Sequence, residues 1–462
     1  MSVVDPGAGT RPAGATRAGE RRSGDRRTGH RARVRADAVS RLLERPLTSY
    51  HLVLVAASLL LVLGLAEVLS ASSVISYAQG LGSYSVFFRQ VVWALLALPV
   101  AAVATRVSPR VLRVLSWPLL LAVIGLLLLT YTRRFGVEVN GNRNWLDPTG
   151  RGGRGSAPAL LQPSEMAKPV VVLWGAGVIA TKERLLHAWR HLLFPFLPGV
   201  LGVTALVIGQ GDAGTALVFI AVAIGMLFLV GVPRWFFGVG ALSALAGIAV
   251  LIAQRPTRLD RVRTFLDPFR HATGSGWQAV QAIYALAGGG WWGVGLGASR
   301  QKWGQLPEAN SDFIFAIVGE ELGLVGALVV LALFTLLGYV GLRIAARADT
   351  LFIRLAAGGI TVWLMSQACV NIGAVLGLLP IAGVPLPLVS AGGSSLLTTI
   401  AAVGALAGFA RREPGARLHL RARRARRARI GRERAAERRR EKAADRAAHL
   451  GPGAGTAPTA SR

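Results

Sequence analysis

LPEANSDFIFAIVGEELGLVG, residues Leu306 to Gly326, decides the fold, because a long apolar run here carries acids that a plain membrane helix avoids. Asp312 stands at the mouth of the run, and Glu320 and Glu321 follow about two turns inside it. A carboxylate at the centre of a bilayer costs roughly 3 kcal/mol on insertion scales, so such residues face a polar cavity or a partner. The stretch reads as a membrane helix with a site at its start.

Composition agrees. The chain has 462 residues, is 52% hydrophobic and only 16% charged, the profile of a polytopic membrane protein. Its net charge of +29 is concentrated at the ends: residues 1 to 50 carry 11 Arg against 5 acids, and residues 411 to 462 carry 17 Arg and Lys against 5 acids. With a membrane-embedded middle, these tails point to an anionic leaflet or an acidic cytoplasmic partner, and nucleic acid is set aside. Cys369 is the single cysteine, so no disulfide forms within the chain. The first apolar run is long enough to stay as an anchor, and no cleavable signal is expected.

The chain divides into a disordered basic tail (1–49), a membrane domain (50–410) and a second basic tail (411–462). A spanning helix needs about 20 apolar residues. Runs of that kind lie near 51–71, 88–107, 112–131, 165–181, 190–209, 214–231, 235–253, 312–344, 352–378 and 388–410. The expected fold is an all-α integral membrane protein of about ten helices, whose even number puts both termini on one side. Arg106, Arg110, Arg113, Lys182, Arg184, Arg234, Arg343 and Arg347 fall on the side of the basic tails, which the positive-inside rule makes cytoplasmic. A large extracytoplasmic loop, 254–311, then connects the seventh and eighth helices. Together with 132–164 and the proline-rich turn 379–388, it is expected to close over one cavity, since irregular backbone near membrane depth needs protein or water to satisfy it.

Candidate residues follow from this plan. Glu165 and Lys168 sit three apart on one helix face, just after Gln162, Pro163 and Ser164, which suit a helix start. They form either an interfacial ion pair or a lysine held ready for a phosphate. Asp212, in QGDAGTA, is either a helix cap or a cavity acid. Arginines of the large loop, Arg261 and Arg263 among them, meet either lipid phosphates or an anionic substrate. Residues 277–286 have helical apolar spacing and read as an amphipathic helix on the outer leaflet. Asp312, preceded by Glu308, is a helix cap or a partly desolvated base with a raised pKa. Glu320 and Glu321 cap or pair with a neighbouring span. In Asn371 to Leu397, prolines and glycines break the helix before a new one near Ser390, and Gly392 and Gly393 allow close backbone approach.

Taken in order, QPSEMAK (162–168), GDAGTA (211–216), FLDPF with GSGWQAVQ (265–281), LPEANSDFIFAIVGEELG (306–323) and NIGAVLGLLPIAGVPLPLVSAGGSS (371–395) resemble the SEDS family of FtsW and RodA membrane proteins. The resemblance covers nearly all of residues 50–410, and DPF, GLGASRQKW and GEELG look most like the division branch. It implies a peptidoglycan glycosyltransferase that polymerises lipid II into glycan strands outside the membrane during septal wall synthesis. It further implies a class B penicillin-binding transpeptidase as partner, other divisome proteins reached through the tails, and a divalent cation, Mg2+ or Mn2+. The family's essential acid falls on Asp312, expected to act as general base on a sugar hydroxyl. Its cavity residues fall on Glu165, Lys168 and Asp212, and the wider substrate-binding set is Arg143, Trp145, Gln162, Ser164, Arg261, Arg263, Gln281, Lys302, Glu308, Glu320, Ser390, Gly392 and Gly393. Asn310, Ala391, Gly211 and Asn144 stand where the family usually has His, Tyr, Pro and Arg. A lipid II flippase and a division scaffold are the rival readings.

Overall fold

The computed structural model describes residues 45–449, apart from 79, 81, 140–141, 149–160, 186–188, 243–263 and 275. The helices are α1 (Thr48–Ala78), α2 (Ser85–Arg106), α3 (Pro109–Leu129), α4 (Pro163–Thr181), α5 (Trp189–Gly209) and α6 (Ala213–Val230). After them come α7 (Trp277–Gly289), α8 (Ile314–Ala346), α9 (Leu351–Val375), α10 (Gly393–Ala410) and α11 (Pro414–His449). Nine of these stand at nine of the ten places where spans were expected. Seven of the nine, α1, α2, α3, α6, α8, α9 and α10, are long and apolar enough to cross a membrane. The remaining two are α4, which carries Glu165 and Lys168, and α5, whose helical geometry breaks at Phe194 (φ −103°, ψ 127°). Of the tenth expected span, residues 234–242 are helical and the rest lies outside the described residues.

Local sequence sets the helix ends. Ser108, Asp212 and Thr350 each accept a hydrogen bond from the backbone N–H three residues on, at the starts of α3, α6 and α9. Gly231 closes α6 in the left-handed conformation that favours glycine. The interior of the bundle is built by α9 and α10, which the other helices largely enclose, whereas α2 and α3 leave most of their surface outward. Where α10 meets α2, Gly404 and Gly408 bring the backbones together: a Cβ on Gly404 would lie 2.5 Å from the Ala101 carbonyl oxygen. Close approach of small residues is a principal source of helix association where lipid is as apolar as leucine.

The long helix α8 is not continuous. At Gly323 (φ 66°, ψ −165°) it breaks, and the glycine-rich segment after α7 inserts into the gap. Leu324 and Val325 donate their N–H groups to the carbonyls of Gly290 (2.9 Å) and Trp291 (3.2 Å), while Val294 and Gly295 donate to those of Glu320 and Glu321 (both 3.0 Å). The interrupted backbone is thus satisfied by protein, as hydrocarbon surroundings require. Gly293 is needed for that fit, because a Cβ there would stand 2.1 Å from the Glu321 carbonyl oxygen.

One element departs from the all-α expectation. Between α3 and α4, β1 (Gly136–Val139) and β2 (Asn142–Leu146) form an antiparallel hairpin, with Gly136 opposite Leu146 and Val137 opposite Trp145. Leu146 also bridges to Leu161, tying the hairpin to the entrance of α4.

Candidate active site

A cavity of about 450 Å³ opens at the end of the bundle where α2, α4, α8 and α10 begin. Arg89, Gln90 and Trp93 line it from α2, Asn142, Asn144 and Trp145 from β2, and Gln162 from the start of α4. The segment before α8 contributes Glu308 and Asn310 to Asp312, the stretch before α10 contributes Gly383, Pro385, Ala391 and Gly392, and α10 itself begins in the lining with Gly393. Residues of all three connections, Asn142, Asn144, Trp145 and Gln162 from 132–164, Glu308, Asn310 and Ser311 from 254–311, and Gly383 and Pro385 from 379–388, thus line one cavity.

Asp312 is the centre of this arrangement. Asn371, on α9, donates through Nδ2 to the carbonyls of Asp312 (2.7 Å) and Val384 (2.8 Å), pinning one loop to the other. Ser390 donates through Oγ to the Ser311 carbonyl (2.6 Å) while accepting from the Leu386 N–H (2.7 Å), and the Ala391 N–H donates to the Asn310 carbonyl (2.9 Å). The backbone around Asp312 is thereby held on three sides. Its carboxylate is treated differently: among the described residues, no donor is hydrogen-bonded to it. Asp312 precedes α8 by two residues, outside the span. Burial pushes its pKa up to about 7, and the negative charges of Glu308, Asp212 and Glu165 add to the rise. Glu308 is held beside it in a left-handed conformation (φ 55°), unusual for a residue with a side chain, and its Oε2 accepts from Ser311 Oγ at 2.6 Å.

Behind the cavity wall lies a buried polar network. Asp212 Oδ2 accepts from Gln162 Nε2 (3.2 Å) and Ser164 Oγ (3.1 Å), while its Oδ1 caps α6. Lys168, only 1% exposed, donates to Glu165 Oε1 (2.5 Å) and to Gln367 Oε1 (3.0 Å). Gln367 in turn donates to the carbonyl of Pro385, which lines the cavity, at 2.8 Å. Lys168 therefore does not line the cavity: Gln367 and then Pro385 stand between, and among the described residues Glu165 Oε2 has no hydrogen-bond partner. Asp212 caps α6 and does not line the cavity, though its charge adds to the rise at Asp312.

Other expected residues stand elsewhere. Arg143 points to Glu138 across the hairpin (3.8 Å) and does not line the cavity, because its neighbours Asn142 and Asn144 take the inward positions. Glu320 is consumed by a loop: its carboxylate accepts from Ser299 Oγ (2.5 Å) and the Arg300 N–H (2.9 Å). Lys302 donates to Glu321 Oε1 (3.2 Å), Ser70 Oγ (3.0 Å) and the Gly297 carbonyl (2.5 Å). Gln281 is buried on α7 and is likewise absent from the lining. Arg261 and Arg263 lie outside the described residues. Conversely, Arg89 and Gln90 were not anticipated. Their signal is a charged and a polar side chain one turn into an otherwise apolar helix; Gln90 also donates to the Ser390 carbonyl and accepts from the Gly392 N–H, both at 3.1 Å.

The sequence pattern of the FtsW/RodA/SpoVE family, described as a cell cycle protein, matches residues 50–414. The probable peptidoglycan glycosyltransferase FtsW of Mycobacterium tuberculosis is 40% identical over 380 residues, covering 82% of this chain and 71% of that protein. Stage V sporulation protein E of Bacillus subtilis is 36% identical over 367 residues, covering 79% and 98%. Among solved structures, a chain of a peptidoglycan synthase complex, described as coordinating polymerization and crosslinking, superposes with a TM-score of 0.65 at 28% identity, over 78% of this chain and 97% of that one. The Rod shape determining protein RodA of Thermus thermophilus superposes with a TM-score of 0.56 at 27% identity, over 78% and 96%. A match of this extent, on a bundle of membrane helices of the same shape, makes the chain a multi-pass membrane protein that belongs to the FtsW/RodA/SpoVE family.

Proposed function

We propose that this chain is a peptidoglycan glycosyltransferase that polymerises lipid II at the outer face of the bacterial cytoplasmic membrane, with Asp312 as general base. One observation carries the assignment of the base: a carboxylate fixed by its backbone, undonated, and raised to about 7 faces a cavity large enough for a reacting sugar. A base is most useful when its pKa lies near the working pH.

In this reading the sugar 4-hydroxyl of incoming lipid II lies against Asp312. Its proton passes to the carboxylate as the oxygen bonds to the anomeric carbon of the growing strand, and the bond from that carbon to the polyprenyl pyrophosphate breaks, the electron pair leaving with the phosphate. The leaving group needs positive charge placed in advance. Arg89 supplies a guanidinium at the cavity wall, and the starts of α2, α4, α8 and α10 add the partial positive charge of helix N-termini. Lys168 acts from behind, through Gln367. A divalent cation fits this lining: Mg2+ takes one or two carboxylates and completes its shell with phosphate and water, and Glu308 beside Asp312 offers such oxygens. Bound there, it would neutralise pyrophosphate charge.

The name of the mycobacterial relative and the described coupling of polymerization to crosslinking in the similar complex support both the activity and a transpeptidase partner. Likeness to FtsW supports placement at the division septum. A transporter of the same precursor would need a path through to the opposite end, whereas the lining residues all come from one end of the bundle. The test is polymerisation of purified lipid II by the reconstituted chain, with and without its cognate transpeptidase. Glycan strands are expected from the wild type and none from Asp312→Asn at equal expression; normal strand synthesis by the variant would remove Asp312 from the mechanism.

A further inference from the structure

The helix that follows the last span is divided in its chemistry. α11 has 36 residues, about 54 Å at the usual rise, and is rooted firmly. Arg417 donates to Asp349 Oδ2 (2.7 Å) in the turn between α8 and α9, and Arg347 lies 3.9 Å from Glu413. Arg412 reaches the carbonyl of Val107, between α2 and α3, at 2.7 Å. These turns are the ends of spans, so α11 leaves the bundle at the level of the lipid headgroups. Beyond its root, every described side chain from 421 to 442 is exposed.

Charge along it is uneven. Between Arg417 and Arg429 there are seven arginines and no acid. Several stand three or four residues apart, such as Arg417 with Arg421 and Arg423 with Arg427, a spacing at which like charges repel. Past that point the acids return at Glu433, Glu437, Glu441 and Asp445, one on each turn of one face, and Arg429 already pairs with Glu433 (2.9 Å). The distal half balances its own charge. The half nearest the membrane does not, and it also exposes Leu418 and Ile430.

We propose that residues 417–429 bind anionic phospholipid headgroups of the leaflet on the tail side, with α11 lying along that surface. With Arg417 paired to Asp349 and Arg429 to Glu433, five arginines between them, Arg421, Arg423, Arg424, Arg426 and Arg427, have no acid in their stretch of the helix, and such a run just past a membrane span attracts acidic lipids. Screening limits such attraction to about 8 Å at physiological salt, so a helix standing upright would engage only its first turn. Leu418 and Ile430 enter the headgroup layer as the arginines spread over it. This inference rests on the membrane placement and not on the chemistry at Asp312, so the two fail separately.

The full chain in lipid nanodiscs tests it by amide hydrogen exchange of residues 417–429. In discs with about one-third phosphatidylglycerol, exchange is expected to be at least fivefold slower than in pure phosphatidylcholine, and the difference is expected to vanish in 0.5 M salt, where the screening length falls to a few ångströms. Replacing Arg423, Arg426 and Arg427 with Gln, which keeps helix propensity, should abolish the slowing; replacing Arg438, Arg439 and Arg440 with Gln should leave it. Equal exchange in both lipids overturns the proposal. So does slowing that appears only when poly-glutamate is added to phosphatidylcholine discs, which would assign the surface to an acidic polypeptide.

Discussion

Two acidic clusters lie within ten residues of each other on the chain and are built in opposite ways. Glu321 accepts from Ser70 Oγ, the N–H groups of Gly297 and Ser299, and Lys302 Nζ, at 2.6 to 3.2 Å. Glu320 takes Ser299 Oγ and the N–H groups of Arg300 and Gln301. Asp312 has its backbone clamped by Asn371 and, among the described residues, no donor on its carboxylate, which lies among other negative charges. Glu320 and Glu321, saturated with donors, hold a loop against a broken helix; Asp312, denied donors among the described residues and lining the cavity, is the proposed base. Donors and access to the cavity separate these roles together, because Glu67, buried in α1 and without a hydrogen-bond partner among the described residues, does not line the cavity.

The comparison breaks most readily on paired variants. Asp312→Asn is expected to lower lipid II polymerisation by about a thousandfold, within the usual contribution of a general base, while its thermal midpoint in detergent at neutral pH or above does not fall, because a carboxylate whose pKa burial has raised costs the folded state stability when ionised. Glu321→Ala is expected to do the reverse. It strands a buried Lys302 and several N–H groups, costing about 3 kcal/mol of stability, visible as a lowered unfolding midpoint, while protein that remains folded keeps most of its rate. If Glu321→Ala is fully stable but inactive, the division of roles drawn here is wrong.

Arg89 sharpens the comparison from the cationic side. A charged hydrogen bond to phosphate contributes about 1.5 to 3 kcal/mol, so Arg89→Ala should reduce kcat/KM for lipid II by roughly ten- to a hundredfold with stability unchanged. Arg143→Ala, whose side chain meets Glu138 on the hairpin, should change the rate less than threefold. Steady-state kinetics on the two variants decides which arginine serves the cavity.

How much of this was legible in the sequence follows from where the forces are local. Apolar runs of spanning length mark the helix positions, and the cap at Asp212, one of two roles its position allows, needs only three residues to be legible. Asp312 stood out because an acid beside an apolar run is costly wherever it occurs. What escaped depends on contacts distant in sequence. Nothing in GEELG says that Glu320 and Glu321 turn toward residues 297–302 instead of the substrate, since that depends on the break at Gly323 and a loop filling it. Arg143 and Asn144 differ by one residue, and only the pleat of the hairpin shows which points inward. Spacing gives the face Lys168 shares with Glu165 on α4, which allows either an ion pair or a phosphate ligand, and it cannot reveal that the pair is buried with Gln367 beside it.

The smallest effect is also the most diagnostic. A general base must be deprotonated to act, so with Asp312 raised to about 7 the rate should climb through neutral pH and fall about tenfold per unit well below it. Glu308 is the largest charge contribution to that rise. Glu308→Gln removes the repulsion, lowers the Asp312 pKa and moves the acid limb of the profile to lower pH, so the variant should lose less activity than wild type between pH 8 and pH 6. Were Glu308 needed only to hold a cation, the variant would be slow at every pH and its midpoint would not move. Profiles measured at saturating Mg2+ separate these outcomes, and an unshifted midpoint at full rate would show that the acids around Asp312 do not tune it.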